Sequence, residues 1–417
     1  MAILSFNFSK ELLYPLLAGF FFSIRPVIFN QFNNYCTYKG TKPNFSFLFR
    51  LLIVEFGNSF NCLIELISIS KRKNENVLYP FKNEIKKTVN KYKENPKLLL
   101  MIIGLSLSSF LSIALNSYSE TYWSNAELTQ TYSFNDCLSR FIGFIALALL
   151  ALLFLKISIH RHHYLGLSFF VFFFVINIFH ILMYNNSQIT IFTHHTIIMI
   201  LGTTIFECLA ILYKYMIDYH YLSPYELGGL QGLCSFLILL ILNISLQSVQ
   251  CSKGDITNIF DFACDSNSNS YSDFSGSFQR LFANGPIAVL LLFVGSVLCS
   301  TFFTMFLMLT NKHLNPTYSL FIEIAYYCYT NINLLLEKEE SGNKYVFLVS
   351  TVFVLIGILI YGEVIILKFC GADYYAKENI KNRAQNALKL YDEDILEIQQ
   401  NQKNMQLIDE VSLNIIN

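Results

Sequence analysis

The sequence predicts an all-α, polytopic membrane protein with ten transmembrane helices, because of its composition and its long apolar runs. Hydrophobic residues make up 54% of the 417 residues, with 40 Phe among them, and charged residues make up 14%, against about 25% in soluble domains. Basic and acidic residues number 29 each. This balance excludes a nucleic-acid-binding protein, and the apolar content excludes a disordered chain.

The predicted spans follow from the bilayer core, which needs about 20 apolar residues per helix. The run 141–155 is too short alone, so its helix must begin near Thr131, which brings Asp136 and Arg140 into the membrane. The first half, 1–184, then holds spans at about 12–32, 45–70, 98–115, 131–155 and 164–184. The second half, 185–370, holds spans at about 197–213, 225–246, 286–309, 318–336 and 345–367, and 371–417 is a cytosolic tail.

The lysines and arginines of the connections predict the orientation, because cytosolic loops carry an excess of basic residues. If both termini are cytosolic, that side holds 20 basic residues and the other side six, and nine of the 20 lie in 71–97. We therefore expect both termini to be cytosolic. The loop 245–285 then lies on the opposite side, where Cys251 and Cys264 either form a disulfide or stay as two loop thiols.

An internal match predicts how the helices are arranged. The segments Asn125-Ala-Glu-Leu-Thr-Gln-Thr-Tyr-Ser133 and Asn311-Lys-His-Leu-Asn-Pro-Thr-Tyr-Ser319 share five residues in register, and each leads into a span with embedded polar groups. The two spans are the fourth and the ninth, so they run in opposite directions. This pattern is typical of two inverted five-helix repeats, an architecture of many secondary transporters.

Several segments also resemble a known family. The stretches 207–215 (Glu-Cys-Leu-Ala-Ile-Leu-Tyr-Lys-Tyr) and 222–232 (Leu-Ser-Pro-Tyr-Glu-Leu-Gly-Gly-Leu-Gln-Gly) resemble the sixth-to-seventh-helix junction of nucleotide-sugar-transporter-like members of the drug/metabolite transporter superfamily. Residues 359–373 are similar to the last helix and exit of protist members, and 156–166 resembles their short basic connection. The resemblance implies a solute carrier of an endomembrane such as the Golgi, which exchanges a nucleotide sugar by alternating access.

Charged residues inside the predicted spans are the candidate substrate-binding groups, because a charge in the bilayer is normally paired or lines a wet cavity. Asp136 and Arg140 share a helix face and predict an ion pair, which is either structural or positions Arg140 to bind phosphate or carboxylate. Arg25 precedes Pro26, which predicts a helix break at a substrate site; the alternative is that Arg25 reaches the membrane interface. Arg50 is either a ligand or a structural partner of another span.

The second half offers corresponding candidates. Glu323 occupies nearly the place in its span that Asp136 occupies in the first half, and Tyr318 and Tyr326 accompany it as Tyr132 accompanies Asp136. Tyrosines at this depth can stack on a nucleobase or bond sugar hydroxyls, although most tyrosines pack in cores or at interfaces. By the resemblance, the arginines would neutralise phosphate while Glu323 and the tyrosines orient the rest of the substrate.

The histidines argue against an enzyme. The cluster His160, His162 and His163 and the pair His194 and His195 lie at opposite ends of the predicted topology, so they cannot form one di-iron centre. The predicted function is therefore a membrane carrier of a small, anionic organic solute, with no cofactor; the alternative is a structural or accessory subunit of a membrane complex. The expected partners are the lipid bilayer and the substrate, with a second copy of the chain left open.

Overall fold

The computed structural model describes residues 4–6, 10–37, 46–73, 78–125, 129–156, 160–184, 194–251, 270–282, 287–314, 316–319, 321–322, 343–367 and 383. This part of the chain is almost entirely helical. Its α-helices are α1 (Leu13–Thr37), α2 (Phe47–Ser59), α3 (Asn61–Lys73), α4 (Leu78–Glu94), α5 (Pro96–Asn125), α6 (Thr129–Leu155), α7 (Arg161–Tyr184), α8 (His194–Tyr219), α9 (Pro224–Leu246), α10 (Phe274–Phe282), α11 (Ile287–His313) and α12 (Asn343–Tyr361). Two short strands are β1 (Leu4–Phe6) and β2 (Ile365–Leu367).

Eight helical segments of the described part are long and apolar enough to cross a membrane. They are Lys10–Ile28, Phe47–Lys71, Pro96–Ser119, Asn135–Leu155, Arg161–Phe179, His194–Tyr219, Pro224–Leu246 and Val289–His313. Each coincides with one of the predicted spans, and this is the architecture expected of a multi-pass membrane protein. Of the other two predicted spans, 318–336 lies largely outside the described residues, and 345–367 corresponds to the shorter apolar helix α12.

The helices differ from the prediction in three places. The predicted break at Pro26 is wrong, because α1 continues as one helix through this residue. The predicted span 45–70 is interrupted by a turn at Phe60 between α2 and α3. The last predicted span ends early at Tyr361, because Glu363 adopts a left-handed backbone conformation with φ 59° that stops the helix.

The chain divides into two units, and each is described by itself. The main unit comprises Lys10–Ser158 and Phe169–Leu355, and the terminal unit comprises Met1–Ser9, Ile159–Ser168 and Ile356–Asn417. In the main unit, α1 packs along α11, α2 packs on α9 and α11, and α5 and α6 each pack on α8.

Close backbone approach holds α2 against α11. A Cβ on Gly57 would lie 2.6 Å from the carbonyl oxygen of Val297, so only glycine fits this crossing. Thr301 Oγ1 donates to the Gly57 carbonyl at 2.7 Å, and Thr304 Oγ1 donates to Asn58 Oδ1 at 2.7 Å. Small residues and interhelical hydrogen bonds are the means by which helices associate in membranes, where lipid removes the hydrophobic driving force.

Serine hydroxyl groups form interhelical hydrogen bonds between α5 and α8 as well. Ser112 Oγ donates to the carbonyl of Gly202 at 2.7 Å, and Ser119 Oγ donates to the carbonyl of His195 at 3.0 Å. All four residues are buried. The hydroxyl groups of these two serines are thus matched by carbonyl groups of the facing helix rather than exposed to lipid.

A polar cluster joins α4 to the first turn of α9. Lys91 Nζ lies 3.1 Å from each carboxylate oxygen of Glu226, and the Tyr92 hydroxyl donates to Glu226 Oε1 at 2.9 Å. Burial, together with the charge of Glu226, raises the pKa of Tyr92 far above its usual range, so this phenol stays protonated and remains a donor. Next to it, Ser223 donates to Glu65 at 2.6 Å.

In the terminal unit, β1 pairs antiparallel with β2, with Leu4 opposite Leu367. The first turns of α7 approach the end of α12 very closely, because a Cβ on Gly166 would lie 2.7 Å from the Cβ of Tyr361. The ring of His163 lies against Tyr361, with 4.7 Å between the ring centroids. These contacts fix the start of α7 against the end of α12.

Candidate functional site

The main unit encloses a cavity of about 680 Å³ between its helices. Residues of α1, α2, α5, α6, α8, α9 and α11 line it. Sites for small organic molecules commonly measure about 300–1,000 Å³. The cavity is therefore large enough for a substrate of several rings, and it is surrounded by helices that can cross a membrane.

Three arginines line this one cavity, each from a different helix. They are Arg25 of α1, Arg50 of α2 and Arg140 of α6, and all three were candidates from the sequence. Two carboxylates, Glu55 and Asp136, line it as well. With all five groups ionised, the lining carries a net charge of about +1 by simple counting, which favours an anion.

The predicted pair of Asp136 and Arg140 forms within α6. Arg140 Nε donates to Asp136 Oδ1 at 2.9 Å, and both side chains are mostly buried, with 21% and 17% exposed. One turn of helix separates the two residues, so the local sequence alone brings them together. The bond holds one edge of the guanidinium group and fixes its orientation at the cavity wall.

The other two arginines lie against aromatic rings. The guanidinium carbon of Arg25 lies 5.4 Å from the ring centroid of Phe22 and 5.6 Å from that of Phe303. That of Arg50 lies 6.0 Å from the ring centroid of Phe47. A cation–π contact stabilises a cation without neutralising its charge. These rings can therefore hold the arginines in place while their charge still acts on the cavity.

Glu55 belongs to a hydrogen-bonded chain in the cavity wall. Asn58 Nδ2 donates to Glu55 Oε2 at 3.0 Å, and Thr304 Oγ1 donates to the other end of the Asn58 amide at 2.7 Å. All three residues line the cavity. Sequence reasoning missed Asn58 and Thr304; the three-residue spacing from Glu55 to Asn58 indicates the first bond, but nothing local indicates Thr304.

Tyr213 and Gln231 form an uncharged polar region of the same cavity. Gln231 Nε2 donates to Tyr213 Oη at 2.8 Å, and the two side chains are buried at the lining. Gln231 Oε1 is buried and has no hydrogen-bond partner among the described residues. Exchanging the amide oxygen and nitrogen would leave the nitrogen unmatched instead. One polar atom of this amide is thus unmatched among the described residues. No local sequence pattern indicates this pair, because its two residues lie on different helices.

Of the remaining predicted site residues, only Tyr318 has its side chain among those that the structure describes. Tyr318 is buried, 3% exposed, and packs on Phe321 with 5.1 Å between ring centroids rather than lining the cavity. The Tyr132 side chain, Glu323 and Tyr326 lie outside the described residues, so their roles stay predictions.

The loop after α9 contains a disulfide-bonded cysteine. Cys251 is in a disulfide. Cys264, the partner that the sequence predicts, lies outside the described residues. The pairing of these two residues therefore stays a prediction. In contrast, Cys62, Cys137, Cys208, Cys234 and Cys299 of the spans are free thiols.

Comparison with known proteins finds no matching family model and no curated protein with significant sequence similarity. The resemblance of 207–215 and 222–232 to nucleotide-sugar carriers accordingly stays a prediction. In the structure, the second of these stretches forms the start of α9 and includes Gln231, which lines the cavity.

Proposed function

We propose that this protein is a secondary carrier that moves a small organic anion, such as a nucleotide sugar, across a membrane. The observation that supports this most directly is the convergence of Arg25, Arg50 and Arg140 on one cavity among helices that can span a bilayer. Burying three cations is costly. The three arginines would have a function if the cavity binds a phosphate or carboxylate group.

The cavity lining suits a substrate that has an anionic group at one end and an uncharged polar group at the other. Arginine presents a planar fork of donors that binds phosphate or carboxylate oxygens bidentately. Across the same cavity, Tyr213 and the unmatched amide atom of Gln231 suit a hydroxyl, carbonyl or amide. A phosphorylated or carboxylated molecule with an uncharged polar part has both features, and a nucleotide sugar is one such molecule.

The proposal includes the transport architecture. Ten helices in two inverted five-helix repeats, joined by the segments 125–133 and 311–319, would allow the two halves to rock about the central site. Both termini are proposed to be cytosolic, in the Golgi or another endomembrane. The basic loop 71–97 supports the orientation.

Uptake into proteoliposomes tests the proposal. The purified chain is reconstituted and offered a panel of radiolabelled nucleotide sugars, with vesicles preloaded with nucleoside monophosphates to detect exchange. We expect saturable uptake of at least one anion. Arg140→Gln should reduce it at least tenfold, because one bidentate anion contact is worth about 1.5–3 kcal/mol. Arg140→Lys should restore part of it, because the charge returns without the planar fork.

Lys214→Gln is the matched control. Lys214 also carries a positive charge inside a spanning helix, but it pairs with Asp218 at 3.2 Å and does not line the cavity. Its removal should leave uptake unchanged. Folded, inserted protein that transports no anion of the panel would contradict the proposal and favour the accessory subunit.

A further inference from the structure

A cluster of side chains that could hold a metal ion lies in the terminal unit. His162, His163 and Glu363 each offer one ligand atom, and these three atoms lie within 4.8 Å of one another. Both histidines are buried and Glu363 is half-buried. Among the described residues this is the one group of three or more His, Cys, Asp or Glu side chains with such geometry. Within the part of the chain that the structure describes, the pair His194 and His195 belongs to no such group.

One pair in the cluster already has nearly the spacing of two metal ligands. His162 Nε2 lies 3.0 Å from Glu363 Oε1. Around a tetrahedral zinc ion, with bonds of 2.0–2.1 Å, neighbouring ligand atoms are about 3.3 Å apart. A small outward shift of the two groups would admit a cation in place of the proton that they now share.

His162 can present Nε2 as a metal ligand. Its Nδ1 is buried and has no hydrogen-bond partner among the described residues. A shift of the ring proton from Nε2 to Nδ1 gives up the hydrogen bond to Glu363, which the bond to the cation replaces. This shift gives Nε2 a lone pair that points toward Glu363, where the cation would bind.

The backbone holds Glu363 in a conformation that non-glycine residues rarely adopt, with φ 59°. Such strain is found where the surrounding structure needs the side chain in one place. The residue lies two positions after the end of α12 and two before β2, whose pairing with β1 anchors the segment on its other side. Glutamate in this position reaches His162, which is 201 residues away in the sequence.

The geometry points to a binding site for a zinc-like divalent cation formed by His162, His163 and Glu363, with the fourth position open to water. Two imidazoles and one carboxylate are a donor set that suits zinc and is poorly suited to magnesium, which prefers oxygen ligands. His163 Nδ1 now accepts the amide of His160 at 3.2 Å. A neutral imidazole has one acceptor nitrogen, so metal binding releases this amide. The bound ion would join the start of α7 to the segment after α12.

The site does not depend on the transport proposal, and its test needs no substrate. The full-length chain is purified without a histidine tag, treated with EDTA and desalted. It is then mixed with Zn²⁺, Co²⁺ or Mg²⁺. Metal content after a second desalting gives the stoichiometry, and the visible absorption of Co²⁺ reports its coordination. We expect one Zn²⁺ or Co²⁺ per chain, tetrahedral Co²⁺ bands and no retained Mg²⁺.

Two variants and a control assign the ligands. Glu363→Gln keeps the size and a hydrogen bond to His162, so the fold should persist while Zn²⁺ affinity falls at least tenfold. His163→Gln should do the same. The control, His194→Gln, removes a histidine that also neighbours a buried histidine, and it should bind Zn²⁺ like the original chain. Zn²⁺ should raise the unfolding temperature of the original chain and of the control but not of Glu363→Gln.

Two results would overturn the assignment. One is that the original chain retains less than one Zn²⁺ or Co²⁺ ion per molecule. This result can be interpreted without any variant. The other is equal Zn²⁺ affinity in the original chain, Glu363→Gln and His163→Gln, which would place any bound ion elsewhere. Increased hydrogen exchange at the His160 amide on adding Zn²⁺ would independently support binding at His163.

Discussion

Arg140 and Asp136 meet one helical turn apart on α6, with 2.9 Å between Nε and Oδ1, and both line the cavity. The pair can stabilise the fold, bind the substrate or do both. Removing one partner of a buried pair leaves an uncompensated charge, whereas replacing both with apolar residues is often tolerated. This difference allows the two roles to be separated by experiment.

The first prediction concerns this pair. Asp136→Leu combined with Arg140→Leu should leave the unfolding temperature within a few degrees of the original chain but abolish anion uptake. Arg140→Gln alone should lose uptake, and Asp136→Asn alone should lose less, because the cation stays. Thermal unfolding and proteoliposome uptake measure the two effects. A stable double variant that still transports would remove Arg140 from the proposed binding site.

The second prediction concerns the uncharged region of the cavity. Gln231→Met keeps a similar volume but removes the amide, so the ligand loses one hydrogen bond and Tyr213 loses its partner. We expect the apparent affinity to fall about five- to tenfold, as one net hydrogen bond is worth about 1 kcal/mol. Inorganic phosphate, which occupies only the arginine region, should inhibit uptake by the original chain and by Gln231→Met to a similar degree. An equal loss of affinity for the transported anion and for phosphate would contradict this assignment.

The third prediction concerns the crossing of α2 and α11. A methyl group on Gly57 would lie 2.6 Å from the Val297 carbonyl oxygen, whereas one on Gly104 would meet no atom within 4 Å. Gly57→Ala should therefore destabilise the protein by about 1–3 kcal/mol. Gly104→Ala, the matched control in α5, should be neutral or slightly stabilising. Thermal unfolding in detergent compares them, and equal unfolding temperatures would show that this contact is not tight.

The fourth prediction concerns topology. A cysteine introduced by Ile85→Cys in α4, within the basic segment 71–97, should react with a membrane-impermeant maleimide only from the cytosolic side of sealed vesicles. The unsubstituted chain sets the background of the assay. Labelling of this position from the lumenal side would reverse the proposed orientation and place Cys251 in the reducing compartment.

Local sequence was sufficient for some of these features. Asp136 and Arg140 could be paired from their spacing, because residues four apart share a helix face. The predicted break at Pro26 was wrong, because residues of α11 pack along α1 and the helix continues through the proline. The hydrogen bond from Gln231 to Tyr213 and the contact of Arg25 with Phe303 join separate helices, so no spacing rule could reveal them.

The sequence by itself determined that the chain enters a membrane and where eight of its apolar helices lie. A bilayer demands about 20 apolar residues in succession with every backbone group bonded internally, and both are local properties. Only the tertiary structure decided which faces of these helices meet. Hydropathy does not encode the rotation of a helix about its axis, which depends on contacts such as Gly57 on Val297. Those rotations bring Arg25, Arg50 and Arg140 to one cavity, just as the path of the chain brings His162 to Glu363.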